Sequence, residues 1–404
     1  MMKQLSRYFK YSFSSKKGAT ELLVALAWAY PLLFYVKAIV LRLPMGESLA
    51  GAVLPTIYFF LVLLSFGYLK NNYRISDFFF IIMLILLYVV HIAFYPENSE
   101  IITFYFPSLL LSLAPMFLIG IATDINEVYK PLYVMSILCV LLQAVNSLYV
   151  EAGERAAAGE VIKEHMNTAY RIMPYVIFCF WGWLRKFDFF GFIASIVGLF
   201  LLISYGSRGP VLCTFLFLVL YVLFFKAFKG KWVVIVVLGL IIVLYNLYFE
   251  QFMMFMQVLL SQFGLSTRVI DLFSDSDTLV YASGRDELTN VLMNKIQENP
   301  LLGYGIGGTW QFVGTYAHNF IIDFIISFGV LFGSIFLLAI LSVYIKGFKA
   351  CNTLEEKGFF LVLACCFFKL FMSYVFLDDY SWILLLGYCI GLIRRKKQHQ
   401  AVLV

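Results

Sequence analysis

The sequence predicts an all-α polytopic membrane protein with about twelve transmembrane helices, both termini cytoplasmic, and one large outer loop carrying short helices. Two observations carry this. Of 404 residues, 62% are hydrophobic and only 13% are charged, about half the charged share of a soluble domain, which is roughly 25%. Apolar stretches of bilayer-spanning length, about 20 residues, recur along the chain with short breaks. The distribution of cations over alternate loops then sets the orientation.

The expected spans are 22–41, 49–69, 78–95, 101–121, 131–150, 169–184, 188–205, 210–225, 232–249, 318–345, 357–377 and 381–393. The first follows a basic segment and is too long for a signal-peptide core, so it reads as a retained helix. Pro107 and Pro115 kink the fourth. With both termini inside, 20 of the 30 lysines and arginines fall on inner segments and 8 on outer ones, as the positive-inside rule requires. Lys37 and Lys369 fall within spans. The chain, 1–404, therefore reads as one integral-membrane domain in a lipid bilayer, and its net charge of +6 reflects topology rather than affinity for nucleic acid.

Cys139, Cys179, Cys213, Cys365, Cys366 and Cys389 fall inside spans and Cys351 in an inner loop, so no disulfide is expected. No Cys/His spacing resembles a zinc site, and neither a metal nor a cofactor is expected.

Two outer loops are long. The first, about 151–168, is rich in Glu and Ala and contains His165. The second, 250–317, is the substantial extramembrane segment, and long loops with helical patterning tend to be functional. Residues 251–273 read as an interfacial segment or as an extension of the preceding span. Ser283 and Asp286 approximate a capping box. The helix it opens carries Leu288, Val291, Leu292 and Ile296 at helical spacing, and Asn299-Pro300 stops it. Arg285 then lies in the first turn, where free N–H groups and the dipole favour an anion. It reads either as a phosphate or pyrophosphate ligand or as a solvated arginine paired with Asp286. The run Gly303-Tyr304-Gly305-Ile306-Gly307-Gly308 contains GxGxxG, but no strand precedes it, so a dinucleotide site is not expected. It reads as a tight turn in which Gly303 and Gly305 bring backbone close to a ligand, leading to Trp310.

Further candidates gather at the outer interface. Arg208, in Ser207-Arg208-Gly209-Pro210, is held in a short turn where it either binds an anionic headgroup or snorkels. Arg171, near the start of the sixth span, has the same two readings. His318, followed by Asn319, is a usable general base or a hydrogen-bonding anchor. His91 lies deep in a span and His399 in the tail, so neither is expected to partner it; His165 could approach. Asp323 and Lys369 lie roughly 8–12 Å deep and are expected to form an ion pair. Gly329 and Gly333 form a GxxxG helix-packing pattern.

These residues together resemble the O-antigen ligase and Wzy-type polymerase superfamily of bacterial surface-polysaccharide assembly. Arg208 with Leu212 fits its R-x3-L turn. Ser283-Gly284-Arg285 followed by Asn299-Pro300 and the Gly303–Gly307 run resembles its outer-loop pattern, and His318-Asn319 with Gly329 resembles its H-N-x9-G element. The likeness runs from about 200 to 335. Phe332 departs from it, standing where a small or hydroxylated residue is expected.

The resemblance implies a metal-independent glycosyltransferase of the bacterial cytoplasmic (inner) membrane, active on its outer face. Its donor and acceptor would be undecaprenyl-diphosphate-linked glycans, with a flippase and a chain-length regulator as further partners. Arg208, Arg285 and His318 would be the catalytic residues, and Arg171, Asn319, Gly303, Gly305 and Trp310 would bind substrate. A polymerase is expected ahead of a ligase that transfers finished glycan to lipid A core, because of Phe332 and because the outer face lacks extra basic charge. A secondary transporter and an inactive scaffold remain as other classes; a transporter should show internal symmetry and midplane polar groups, and no internal repeat is found.

Overall fold

In lipid every backbone N–H and C=O needs an internal partner, which favours helices, and every regular element among the described residues is helical. The computed structural model describes residues 73–147, 161–205, 207–225 and 285–402, with isolated positions between 254 and 262. The expected spans 22–41, 49–69 and 232–249, loop residues 151–160, most of segment 251–273, and Ser283-Gly284 lie outside these residues, as do the side chains of His165 and His399. Four described helices are long and apolar enough to cross a membrane: Ile75–Phe94, Pro96–Ala122, Ile125–Asn146 and Phe320–Ala350.

The described helices fall into two compact units. One contains α1 (Ile75–Phe94), α2 (Ser99–Ser108), α3 (Ala114–Ala122), α8 (Arg285–Glu298), α9 (Gly308–Val313), α10 (Phe320–Ala350), α11 (Leu354–Phe368) and α12 (Ser381–Val402). The other contains α4 (Ile125–Asn146) from Glu127 onward, α5 (Val161–Lys186), α6 (Phe189–Ser204) and α7 (Arg208–Phe224).

In the second unit, Asp188 caps α6 by accepting the Gly191 N–H at 2.9 Å, and it also accepts the Tyr133 hydroxyl at 2.9 Å. Glycines let the helices close on aromatic rings. A Cβ at Gly191 would lie 1.8 Å from the Tyr133 hydroxyl, and one at Gly209 would lie 1.9 Å from the Tyr170 hydroxyl. The Gln143 amide bonds to the Tyr205 hydroxyl in the same interior.

In the first unit α3 and α12 cross at glycines, a Cβ at Gly387 falling 2.1 Å from the Phe117 carbonyl and one at Gly120 falling 2.5 Å from the Leu384 carbonyl. The N-terminal end of α1 is tied to the C-terminal half of α12, where Arg394 forks the buried Asp77 carboxylate. α11 opens on a full capping box between Thr353 and Glu356.

Two expectations need correction here. The span expected over 357–377 stops early: α11 ends at Phe368, a 3₁₀ turn covers Lys369–Phe371, and 372–380 is turns. The fourth expected span holds as one apolar helical stretch, Pro96–Ala122, with a five-residue π-helical turn, Leu109–Leu113, between its two prolines, where the missing proline N–H groups disfavour a regular α-helix. The Gly329/Gly333 pattern does not pair two helices. Gly329 has φ 75 and ψ 168 and breaks α10; the chain before it then crosses the break, so a Cβ at Gly329 would lie 2.1 Å from the Leu301 carbonyl.

Candidate functional site

Between α8 and α10 the chain forms a cap over the N-terminal half of α10. Leu292 of α8 packs with Ala317 and Ile326 in a buried cluster that Ile296, Tyr304, Phe312, Val313 and Ile322 complete. The break at Gly329 frees backbone groups of α10, and the incoming loop satisfies them. Tyr304 N–H donates to the Ile326 carbonyl at 2.7 Å, and Val330 N–H donates to the Pro300 carbonyl at 2.6 Å.

Gly303, Gly305 and Gly307 have φ of 70, 79 and 82, a left-handed backbone that glycine adopts freely. Gly303 and Gly305 are buried. The close approaches they permit are to protein: Gly303 to Gly329 and Ile326, Gly305 to Tyr95 and Asn98.

Two side chains outside this segment hold the loop. His91 of α1 accepts the Ile306 N–H at Nδ1, at 2.8 Å. Asn98 is 1% exposed and uses its amide twice, donating to the Tyr304 carbonyl at 2.7 Å and accepting from Gln311 at 2.5 Å. Neither stands out as a site residue in the sequence. A polar residue inside an apolar span usually has a role, and that signal is present for His91.

His318 sits just outside α10, with φ 54, a conformation uncommon for a residue with a Cβ. Its neighbours fix it there. Asn319 caps α10, its Oδ1 accepting the N–H groups of Ile321 and Ile322 at 3.0 and 3.4 Å. Ala317 N–H donates to Asp323 Oδ1 at 2.9 Å. The Tyr316 ring lies 4.2 Å from the imidazole and its hydroxyl donates to the Ser373 carbonyl at 3.2 Å. The Ser373 hydroxyl stands 3.5 Å from His318 Nδ1, at the outer edge of hydrogen-bond reach.

Burial, and behind it the charge of Arg285, lowers the His318 pKa to about 4. The imidazole is therefore neutral at physiological pH and free to accept a proton. Burial raises the Tyr316 pKa, so that hydroxyl stays protonated and can donate.

Arg285 begins α8 and Arg208 begins α7, each half-buried. The charge of Arg285 acts on both His318 and Tyr316, so the structure gathers Arg285, Tyr316 and His318 in one place. No ion pair joins Arg285 to Asp286, nor Arg208 to an acid, among the described residues. A cation at a helix start opposes the dipole, by roughly 0.3–1 kcal/mol. Arg208 is so placed at the start of α7, where an anion would meet both the helix end and the guanidinium. Arg208 and Arg171 belong to the second unit; Arg171 is exposed on α5.

The expected Asp323–Lys369 ion pair is not formed. Because α11 ends at Phe368, Lys369 turns into the 372–380 segment and pairs with Asp379, both side chains almost fully buried. Asp379 also accepts the Ser381 N–H at 2.6 Å at the start of α12. Asp323, 2% exposed, is left facing the loop: Oδ1 takes the Ala317 N–H, while Oδ2 has no hydrogen-bond partner although the buried Thr309 hydroxyl is near it.

On the far side of His318, Tyr105 of α2 and Trp310 of α9 extend the aromatic contacts. Tyr105 and Trp310 lie 5.8 Å apart, and Trp310 lies 6.1 Å from Tyr316. Asp378, half-buried, accepts the Ser108 hydroxyl at 2.7 Å beside them. Tyr105, Ser108, Ser373 and Asp378 carry no signal in the sequence; reading 357–377 as one span hides the turn that brings the last two here. No group of His, Cys, Asp and Glu among the described residues is arranged to hold a metal ion.

Residues 192–338 match the O-antigen ligase family. Over that stretch the chain is similar to the O-antigen ligase and Wzy-type superfamily, and the match covers Arg208, Arg285, the glycine turn, Trp310, His318 and Gly329, but not Arg171, Tyr105 or Asp378. No curated protein and no solved structure matches the chain. With the apolar helices, the family match indicates a multi-pass membrane protein of O-antigen-related, glycosyltransferase-like function.

Proposed function

We propose that this protein joins oligosaccharide repeat units carried on undecaprenyl diphosphate, as a surface-polysaccharide polymerase working on the outer face of the cytoplasmic membrane. The observation that carries the reading is the neutral, half-buried imidazole of His318 within the electrostatic reach of Arg285, a guanidinium in the first described turn of α8 that pairs with no acid among the described residues. A base next to an anion-binding cation is what transfer of a sugar from a diphosphate leaving group needs.

In this mechanism an acceptor hydroxyl oxygen forms a bond to the anomeric carbon of the donor sugar as the bond from that carbon to the diphosphate oxygen breaks. His318 takes the hydroxyl proton. The diphosphate leaves with the bonding electron pair, its charge stabilised by Arg285; Arg208 keeps its proposed catalytic role, and no metal is required. Asp323 and Asn319 set the backbone that presents His318, and His91 and Asn98 hold the loop beneath it. Arg171 and the glycine turn at Gly303 and Gly305 retain a proposed part in substrate binding, the glycines through the loop they shape. A flippase and a chain-length regulator are the expected partners.

The ligase reading shares this chemistry and differs in the acceptor, a lipid A core. It is favoured by the name of the matching family. The polymerase reading is favoured by Phe332, which is 48% exposed on α10 just past the break and departs from the ligase-like pattern.

The test is the lipid-linked glycan profile of a strain lacking the protein, complemented with wild type or with Arg285→Ala. Single undecaprenyl-linked repeats in the deletion strain, with surface glycan reduced to one unit and no rescue by Arg285→Ala, is the expected result. Full-length chains stranded on undecaprenyl would make the protein a ligase. An unchanged profile would end both readings and return the transporter or scaffold.

A further inference from the structure

Resting on the transferase reading, the geometry points to the row Tyr105, Trp310 and Tyr316 as the subsite that holds the sugar rings of the acceptor, delivering a terminal hydroxyl to His318. The centroid steps along the row are 5.8 Å, 6.1 Å and, from Tyr316 to the imidazole, 4.2 Å. All four residues are half-buried, so part of each is held by the protein and part is open.

The row draws on three parts of the chain: α2, α9 and the turn before α10. An aromatic belt at a membrane interface has separate rings with their polar tips in the headgroup layer. Here the polar edge of Tyr316 turns inward instead. The Tyr316 hydroxyl donates to the Ser373 carbonyl at 3.2 Å, and Tyr105 lies within electrostatic range of Asp378, Tyr316 and Asp323.

The chemistry along the edges selects the ligand. A pyranose presents C–H groups on its faces and hydroxyls around its rim. Partly open aromatic faces suit the former, and the carboxylate of Asp378, with Ser108 on its Oδ1 at 2.7 Å, leaves acceptor capacity for the latter. A prenyl chain would meet that charge with nothing to offset it, so the row does not suit the lipid tail. A diphosphate would be repelled by it, which separates this subsite from Arg285. The pairing of a few placed polar groups with apolar walls is the usual make-up of a small-molecule site.

The experiment uses the full chain in phospholipid nanodiscs and, as probe, the free repeat-unit oligosaccharide released by mild acid from the producing cell's own surface glycan, without lipid or phosphate. Binding is followed by calorimetry and by tryptophan fluorescence. Wild type is expected to bind the saccharide with a fluorescence change. Trp310→Ala should weaken binding at least about tenfold, equivalent to about 1.4 kcal/mol. Trp310→Phe should keep most of the affinity but lose the fluorescence change, although five of the six tryptophans remain.

Equal binding by wild type and Trp310→Ala, or a fluorescence change that survives in Trp310→Phe, overturns the subsite; so does wild type that transfers glycan yet does not bind the free saccharide. If Trp310→Ala fails to fold, the Trp310→Phe signal decides. Saccharide binding that depends on Trp310, in a protein whose deletion leaves the lipid-linked glycans unchanged, would instead sink the transferase reading and leave the subsite standing.

Discussion

At the scale of a residue, His318 shows how much of a reactive group is set by what surrounds it. Its left-handed backbone carries a strain on the order of 1–3 kcal/mol, offset by the Asn319 cap and the Ala317–Asp323 hydrogen bond. Burial and Arg285 lower its pKa from 6.5 to about 4. A base works unprotonated, and a depressed pKa keeps it so down to lower pH. The acid limb of kcat/KM, which reports the free enzyme, should therefore fall near pH 4 rather than near 6.5. When donor diphosphate binds, its negative charge offsets that of Arg285 and the imidazole gains protons more readily, so the limb of kcat should lie at higher pH than that of kcat/KM. Rates measured from about pH 3.5 to 8 at limiting and at saturating donor test this; a kcat/KM limb at 6.5, the ordinary histidine value, would remove the neutral, half-buried base. The residue types are readable in the sequence, since Arg208, Arg285 and His318 stand out in an apolar chain. What is not readable is which acid meets which base. Asp323 and Lys369 lie at matching depth, yet a helix that ends at Phe368, short of the expected 377, gives Lys369 to Asp379 instead.

Elements carry the next level of information, and the break in α10 is the clearest case. Gly329 resembles half of a helix-packing motif because spacing alone cannot tell a flat helix face from a kink that admits a loop. The distinguishing feature is the pair of backbone bonds, Tyr304 to Ile326 and Pro300 to Val330, which lie 22 to 30 residues apart in sequence and leave no local pattern. The helix stop, by contrast, is legible: α8 ends at Glu298, before Asn299-Pro300, because a proline acts locally. Two glycines with nearly the same φ separate backbone strain from crowding. Gly314 (φ 66) has nothing within 4 Å of the place a Cβ would occupy, whereas Gly329 (φ 75) has the Leu301 carbonyl at 2.1 Å. Gly314→Ala should cost about 1 kcal/mol from strain alone. Gly329→Ala should cost at least about twice that, because overpacking adds a further 1–3 kcal/mol or so, and it should unseat the loop and abolish transfer. Thermal unfolding of both variants in nanodiscs decides; equal shifts would mean the loop is not seated on the break.

For the molecule as a whole, the two ends of α1 take on different work. Asp77 near its start binds Arg394, while His91 holds the glycine turn 14 residues later, about 21 Å along the axis. That spacing is a large part of a hydrocarbon core of about 30 Å. The charge count predicts that Arg74 and Arg394 through Lys397 lie inside; on the proposed reading the candidate site then faces out, toward its lipid-linked glycan. The chain is suited to a direct check, because its seven cysteines are all buried and give little background. Gln311→Cys, on α9 beside the site, and Lys397→Cys, near the end of α12, both replace exposed residues. In intact spheroplasts a membrane-impermeant maleimide should label Gln311→Cys at once and Lys397→Cys only after the membrane is opened. The reverse order would put the site in the cytoplasm, where nucleotide sugars rather than lipid-linked repeats are the abundant donors, and the arginines would need a different diphosphate to explain them. Labelling of both from one side would fault the helix count between them, which is α10, α11 and α12.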